Sequence, residues 1–221
     1  MKMKSSPNKN KSRDKESESD LQTLDNSETF LKPYFYTEFK NYTIQRNDFQ
    51  GSRASGGVAC LTSCQIPSKP IHLNTQLLYT AVAIQIQLNS RITICFLYLP
   101  PRDHIEQRHL DELIRQLPGP FFLLGDFNGH NTLWGSTDTN PRGRQIETLI
   151  EDHCQCLLND DTHFHQASQT FHTIDLAICS PSLAPCWKFS TSINLFNSDH
   201  FPVVLTQIAK KVAERLPFHF P

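Results

Sequence analysis

The sequence predicts an α/β or α+β fold with mixed sheets, and three observations predict it. Two long apolar runs, residues 79–88 and 91–99, are separated only by Asn89-Ser90, which is hairpin spacing. Two stretches carry apolar residues at helical spacing, residues 105–117 and 146–150, with a further apolar run between them. Strand and helix signals then alternate irregularly, so hairpins and crossovers share the chain. A length of 221 residues suits one substantial domain with a tail.

In chain order, residues 1–26 are Lys, Ser, Asn, Glu and Asp with hardly an apolar position, a composition that cannot offset the entropy of ordering. They are expected to form a disordered polar tail. The folded domain is expected over residues 27–210, with a C-terminal extension over 211–221. Tyr42 to Arg46 alternates like a strand, Asn47 to Gly51 is a turn, and Gly56-Gly57 leads into an apolar strand, Val58 to Thr62. Within the hairpin, Ala81 to Leu88 alternates and so buries one face, while Ile92 to Leu99 is almost wholly apolar and belongs in the sheet centre. Pro100-Pro101 stops that strand. Asp103 can cap a helix carrying Ile105, Leu110, Leu113, Ile114 and Leu117, which Pro118-Gly119-Pro120 ends. Phe121 to Leu124 is a buried strand; a loop with Asn131, Trp134 and Gly135 follows, and Asn140 caps a second helix with Pro141 in its first position. Strands at Leu157-Leu158, Ile174 to Cys179, Trp187 to Leu195 and Val203 to Ile208 complete the domain, with a His-rich connection before the second of them.

Charge narrows the function little. Lys plus Arg is 21 and Asp plus Glu is 22, a formal charge of −1, so nucleic acid would have to meet a local basic patch. The seven Cys include no CxxC pair and read as reduced, mostly buried thiols of an intracellular protein, nuclear or cytoplasmic. The basic, polar start is no secretory signal, and no run reaches the length of a membrane span, so a soluble protein is expected.

Polar residues at the ends of apolar runs carry the chemistry. Asp126 and Asn128 close the Phe121 to Leu124 strand, two residues apart, which in extended chain puts a carboxylate beside a carboxamide. Such a pair can bind or deprotonate a water and steady a charged oxygen; an Asx turn ending the strand is the plainer account. Glu28 precedes Phe30-Leu31, Tyr98 ends the long strand, and Asp199-His200 precedes Phe201 to Val204. Asp175 lies inside an apolar run, where a lone carboxylate is costly, and so requires a partner. A histidine is the natural one, because a carboxylate fixes the imidazole tautomer.

Gly-Asp-Phe-Asn at 125–128, Tyr-Leu-Pro-Pro at 98–101, Ile-Asp-Leu-Ala-Ile at 174–178 and Ser-Asp-His-Phe-Pro-Val at 198–203 together resemble the endonuclease/exonuclease/phosphatase superfamily. More narrowly, with Arg46-Asn47-Asp48, Gly56 to Ala59, Trp134-Gly135 and Cys179 to Leu183, they resemble the apurinic-like endonuclease domain of non-LTR retrotransposons. The resemblance covers about residues 27–208. It implies a four-layer sandwich, two mixed sheets flanked by helices, and a divalent-metal site for Mg²⁺ or Mn²⁺. It implies that Glu28 binds the metal with Asp199 close to it, that Asp126 orients or deprotonates the attacking water, and that Asn128 donates to the transition state. Tyr98 then lies near the scissile phosphate, His200 contacts that phosphate, and Asp175 stands behind His200. The implied activity is DNA nicking; a phosphomonoesterase, or an inactive remnant serving as a binding module, is the alternative. The implied partners are DNA and the reverse-transcriptase region of a parent element.

The chain departs from the family in two places. The family's first strand has no counterpart, and the polar lead-in Leu21 to Asn26 is expected not to form the usual strand before Glu28, leaving a truncated, marginal and weakly active domain. His172 stands where a small hydroxyl residue is usual. A calcium loop at Asp126 fails because Thr137 stands where a bidentate Glu is required, and His163, His165 and His172 fit no structural zinc spacing.

Overall fold

The two long apolar runs are neighbours in one sheet. The computed structural model describes residues 23–27, 38–48, 56–75, 79–101, 104–159, 165–167, 170–192 and 200–208. The strands are β1 (Thr23–Ser27), β2 (Tyr42–Asn47), β3 (Val58–Ser63), β4 (Ser68–Ile71), β5 (Thr80–Gln87), β6 (Arg91–Tyr98), β7 (Phe121–Asp126), β8 (Cys156–Leu157), β9 (His165–Ala167), β10 (Thr170–His172), β11 (Asp175–Cys179), β12 (Trp187–Thr191) and β13 (Val203–Gln207). The helices are α1 (Gln107–Gln116) and α2 (Pro141–Asp152).

Six strands form the large sheet in the order β4-β5-β6-β7-β11-β8. Only β6 and β7 are parallel, because α1 carries the chain back across the sheet between them. Among the described residues the smaller sheets, β1-β3-β2, β12-β13 and β9-β10, are antiparallel.

Strand alternation sends the large sheet's side chains into two cores. Cys95 and Leu97 of β6, Phe121 and Leu123 of β7, and Leu176 and Ile178 of β11 pack with Leu110, Leu113, Ile146 and Leu149 of the helices. Ile92, Ile94, Phe96 and Tyr98 of β6, with Phe122 and Cys179, face Val58 and Cys60 of β3 and Trp187 of β12. The Phe122 and Trp187 rings meet edge to face at 5.1 Å, joining β7 to β12. The result is an α/β sandwich in which, among the described residues, both helices cover one side of the large sheet and strands β3 and β12 cover the other.

Several elements differ from expectation. β1 begins inside the stretch read as tail, and its lead-in does form a strand: Thr23 to Ser27 pair with Thr62 to Val58 of β3. Backbone pairing needs no apolar side chain, and it gives β3 partners on both edges. Residues 1–22 and 209–221 lie outside the described residues. β4 went unread because Pro70 falls within it; the strand is at the sheet edge, where proline is tolerated. The His-rich connection holds the β9-β10 hairpin, which includes His165 and His172, while His163 is outside the described residues. For α1 the N-cap is Glu106, whose side chain accepts from His109 N–H while His109 Nδ1 accepts from Glu106 N–H; Asp103 is outside the described residues. Asn140 caps α2 as expected, accepting from Gly143 N–H at 2.7 Å, with Pro141 at the first position.

Burial leaves a pH signature in the cores. Burial, helped by the neighbouring Cys156, pushes the Cys179 thiol up to about 12, and burial followed by Cys95 and Glu112 pushes Tyr79 up to about 12. Below the ordinary thiol value of 9.0 both states keep the proton and the contribution is complete; above it the unfolded chain ionises first, so stability falls toward about pH 12. Urea midpoints should therefore decline across that window, and more shallowly in Cys179→Ala.

Candidate active site

At one end of the large sheet the strand registers bring three of the singled-out residues into one row. Tyr98 pairs with Asp126 across the parallel β6-β7 contact, and Asp126 pairs with Asp175 across the antiparallel β7-β11 contact. Residues directly opposite on neighbouring strands have Cβ atoms about 4.5–5.5 Å apart. Stretches far apart in sequence thus deliver a phenol and two carboxylates to one edge. Thr80 of β5 pairs with Tyr98 and extends the row by one more strand. Nothing marked Thr80 in sequence, because a β-branched hydroxyl residue is ordinary in a strand.

Asp126 is 3% exposed, and its burial is compensated by its neighbour. Asn128 N–H donates to Oδ1 at 2.9 Å and Asn128 Nδ2 donates to Oδ2 at 2.8 Å. The same Nδ2 reaches Leu99 O at 3.1 Å, anchoring the carboxamide to the chain leaving β6. Asn128 adopts φ 48°, a left-handed conformation that asparagine tolerates better than most residues. The Asx-type turn and the carboxylate–carboxamide pair read from the sequence are therefore one object.

Asp175 Oδ2 lies 2.7 Å from His200 Nδ1, and both side chains are about one-fifth exposed. A carboxylate only accepts, so Nδ1–H donates. Tyr98 is 7% exposed, and the chain at Gly56 passes over its ring: a Cβ built there would stand 2.8 Å from Tyr98 Cε1, with φ at +61°. The loop after Asn128 is fixed as well. Trp134 Nε1 donates to Gly129 O at 3.0 Å, Asn131 Oδ1 accepts from Leu133 N–H at 2.9 Å, and Asn131 Nδ2 reaches Glu147 of α2 at 2.8 Å.

Glu28 and Asp199 lie outside the described residues; Glu28 is the residue after β1 and Asp199 the one before His200. Among the described residues, no three His, Cys, Asp or Glu side chains converge on a point that could hold a metal. Asp126 and Asp175 at this sheet end bring carboxylate oxygens, the donor chemistry of a hard divalent cation.

Comparison with known proteins follows the same lines. A family model described as "Endonuclease-reverse transcriptase" matches residues 92–204. The "Probable RNA-directed DNA polymerase from transposon BS" of Drosophila melanogaster is 30% identical over 113 residues, 50% of this chain and 12% of that protein. The "Probable RNA-directed DNA polymerase from transposon X-element" of the same organism is 26% identical over 172 residues, 76% of this chain and 19% of that protein. The chain therefore spans less than a fifth of either relative. Among solved structures, the endonuclease domain of TRAS1, described as a telomere-specific non-LTR retrotransposon, superposes with a TM-score of 0.67 at 21% identity, covering 78% of this chain and 81% of that one. It has the same fold. No helix among the described residues is long and apolar enough to cross a membrane.

Proposed function

This chain belongs to the endonuclease-reverse transcriptase family, and on that premise we propose that it is a divalent-metal-dependent phosphodiesterase that nicks DNA. The observation that carries the reading is the row Tyr98, Asp126, Asp175 with His200 bonded to its last member. Hydrolysis of a phosphodiester needs a proton acceptor for the attacking water and donors toward the charge that develops on phosphate oxygens. Asp126 takes the water's proton, and Asn128 keeps that carboxylate in one orientation. His200 directs Nε2 at a phosphate oxygen while Asp175 orients its ring through Nδ1. Tyr98 borders the phosphate from β6. Glu28 and Asp199 would hold the cation, Mg²⁺ or Mn²⁺, which supplies charge stabilisation to the phosphate oxygens. The relatives are named RNA-directed DNA polymerases, and the residues matched here take the strand-cleaving step, with polymerisation assigned to a reverse-transcriptase region.

Nicking of supercoiled plasmid by the purified protein tests the proposal. EDTA should abolish conversion to the open circle and Mg²⁺ restore it. Cleavage indifferent to chelation would overturn the metal mechanism, and no cleavage with any divalent cation would overturn the enzyme reading.

A further inference from the structure

Beside Asp175, on the edge of β11 away from β7, the backbone ladder stops early. β8 pairs only two residues with β11, Leu157 with Ile178 and Cys156 with Cys179, and Leu158 N–H then donates to Ala177 O at 2.8 Å. Past that point Ala177 N–H and Asp175 C=O face a chain that has stopped running as a strand. One side chain serves both: Asn159 Oδ1 accepts from Ala177 N–H at 2.8 Å and Asn159 Nδ2 donates to Asp175 C=O at 2.9 Å. A carboxamide holds the donor and acceptor of a peptide group, so Asn159 stands in for the missing strand residue.

We propose that Asn159 is a positioning residue for the proposed reaction, acting through the backbone of Asp175 on His200. Asp175 is held from both edges. On one side it pairs with Asp126, and Phe127 N–H donates to Ile174 O at 2.9 Å. On the other side only the Asn159 carboxamide grips its carbonyl among the described residues. The gripped segment, residues 175–177, sets where the Asp175 carboxylate projects, and that carboxylate fixes the ring of His200 at 2.7 Å. A working site tolerates displacements of only about 0.5 Å. Asparagine is required by chemistry rather than by size, since aspartate keeps the acceptor for Ala177 N–H but turns an oxygen toward the Asp175 carbonyl.

The inference rests on the nuclease reading for its kinetic consequence, and the test separates the two. Asn159→Ala and Asn159→Asp are compared with wild type for single-turnover nicking and for the downfield proton resonance of His200 Nδ1–H. The expected result is a 10- to 100-fold fall in kcat with KM within about twofold, and loss or broadening of the resonance in folded protein. A kcat per folded molecule within twofold of wild type, or an unchanged resonance, overturns the role. Failure of both variants to fold overturns it too, because Asn159 would then hold the fold rather than the site. If wild type cleaves nothing, the nuclease reading fails while the resonance still reports on the clamp.

Discussion

Asp126→Asn and His200→Ala should each lower the rate of DNA nicking by roughly 10² to 10⁴, the range lost when a general base or a transition-state donor is removed. Asp126→Asn is the sharper of the two. It preserves the size of a side chain that is 3% exposed, and it retains one oxygen to accept from Asn128, while removing the group proposed to take the water's proton. His200 is partly exposed at the sheet end, so its truncation leaves both cores intact. Circular dichroism should stay close to wild type in both, and so should the urea midpoint of His200→Ala, whereas Asp126→Asn turns an amide N–H toward an Asn128 donor and should lower its midpoint by the ~1–3 kcal/mol of a lost buried hydrogen bond. Asp175→Ala should cost less in rate, about 10-fold to 100-fold, because it acts by orienting His200 rather than by touching phosphate. A wild-type rate in Asp126→Asn or His200→Ala would remove the role proposed for that residue, whatever the family.

Sequence disclosed the site where a polar residue was costly. Asp175 sits in an apolar run, and its need for a partner follows from desolvation alone, as does the choice of an imidazole. Asp126 with Asn128 was visible because a buried strand ends there. What sequence does not carry is register: that Tyr98, Asp126 and Asp175 form one row is settled by the hydrogen bonds of β7 to β6 on one side and to β11 on the other, strands far apart in sequence. Thr80 and Asn159 were missed for that reason, since each matters only through its neighbour on another strand.

The elements divide in a similar way. β5, β6, β7 and β11 are held by side-chain burial, and apolar patterning marked them all. Among the described residues β1 and β4 each pair with a single neighbouring strand, and polar residues in the first and Pro70 in the second hid them. Glu106 was passed over as a cap because glutamate is an ordinary helix residue and its partner, His109, works through a ring nitrogen.

Gly125→Ala should unfold much of the protein, and the reason lies one residue before the proposed base. Gly125 has φ at +133°, a conformation that residues with a Cβ rarely adopt, and a Cβ built there would stand 2.0 Å from Leu97 O of the paired strand. The obstacle is backbone in the centre of the large sheet, in the parallel contact where Leu97 pairs with Gly125 and Tyr98 with Asp126. No rotamer change relieves it. Either β7 separates from β6 and loses its ladder bonds, or the strand end twists away and carries Asp126 out of the row. The two costs, backbone strain and broken pairing, together reach roughly 4 kcal/mol or more, against the 5–15 kcal/mol that a domain of ordinary stability possesses. The urea midpoint should fall steeply or the protein should collect in the insoluble fraction, and any folded remainder should nick DNA far more slowly than its folded fraction allows. A midpoint and rate equal to wild type would mean that β7 does not lie against β6 as closely as the 2.0 Å approach requires.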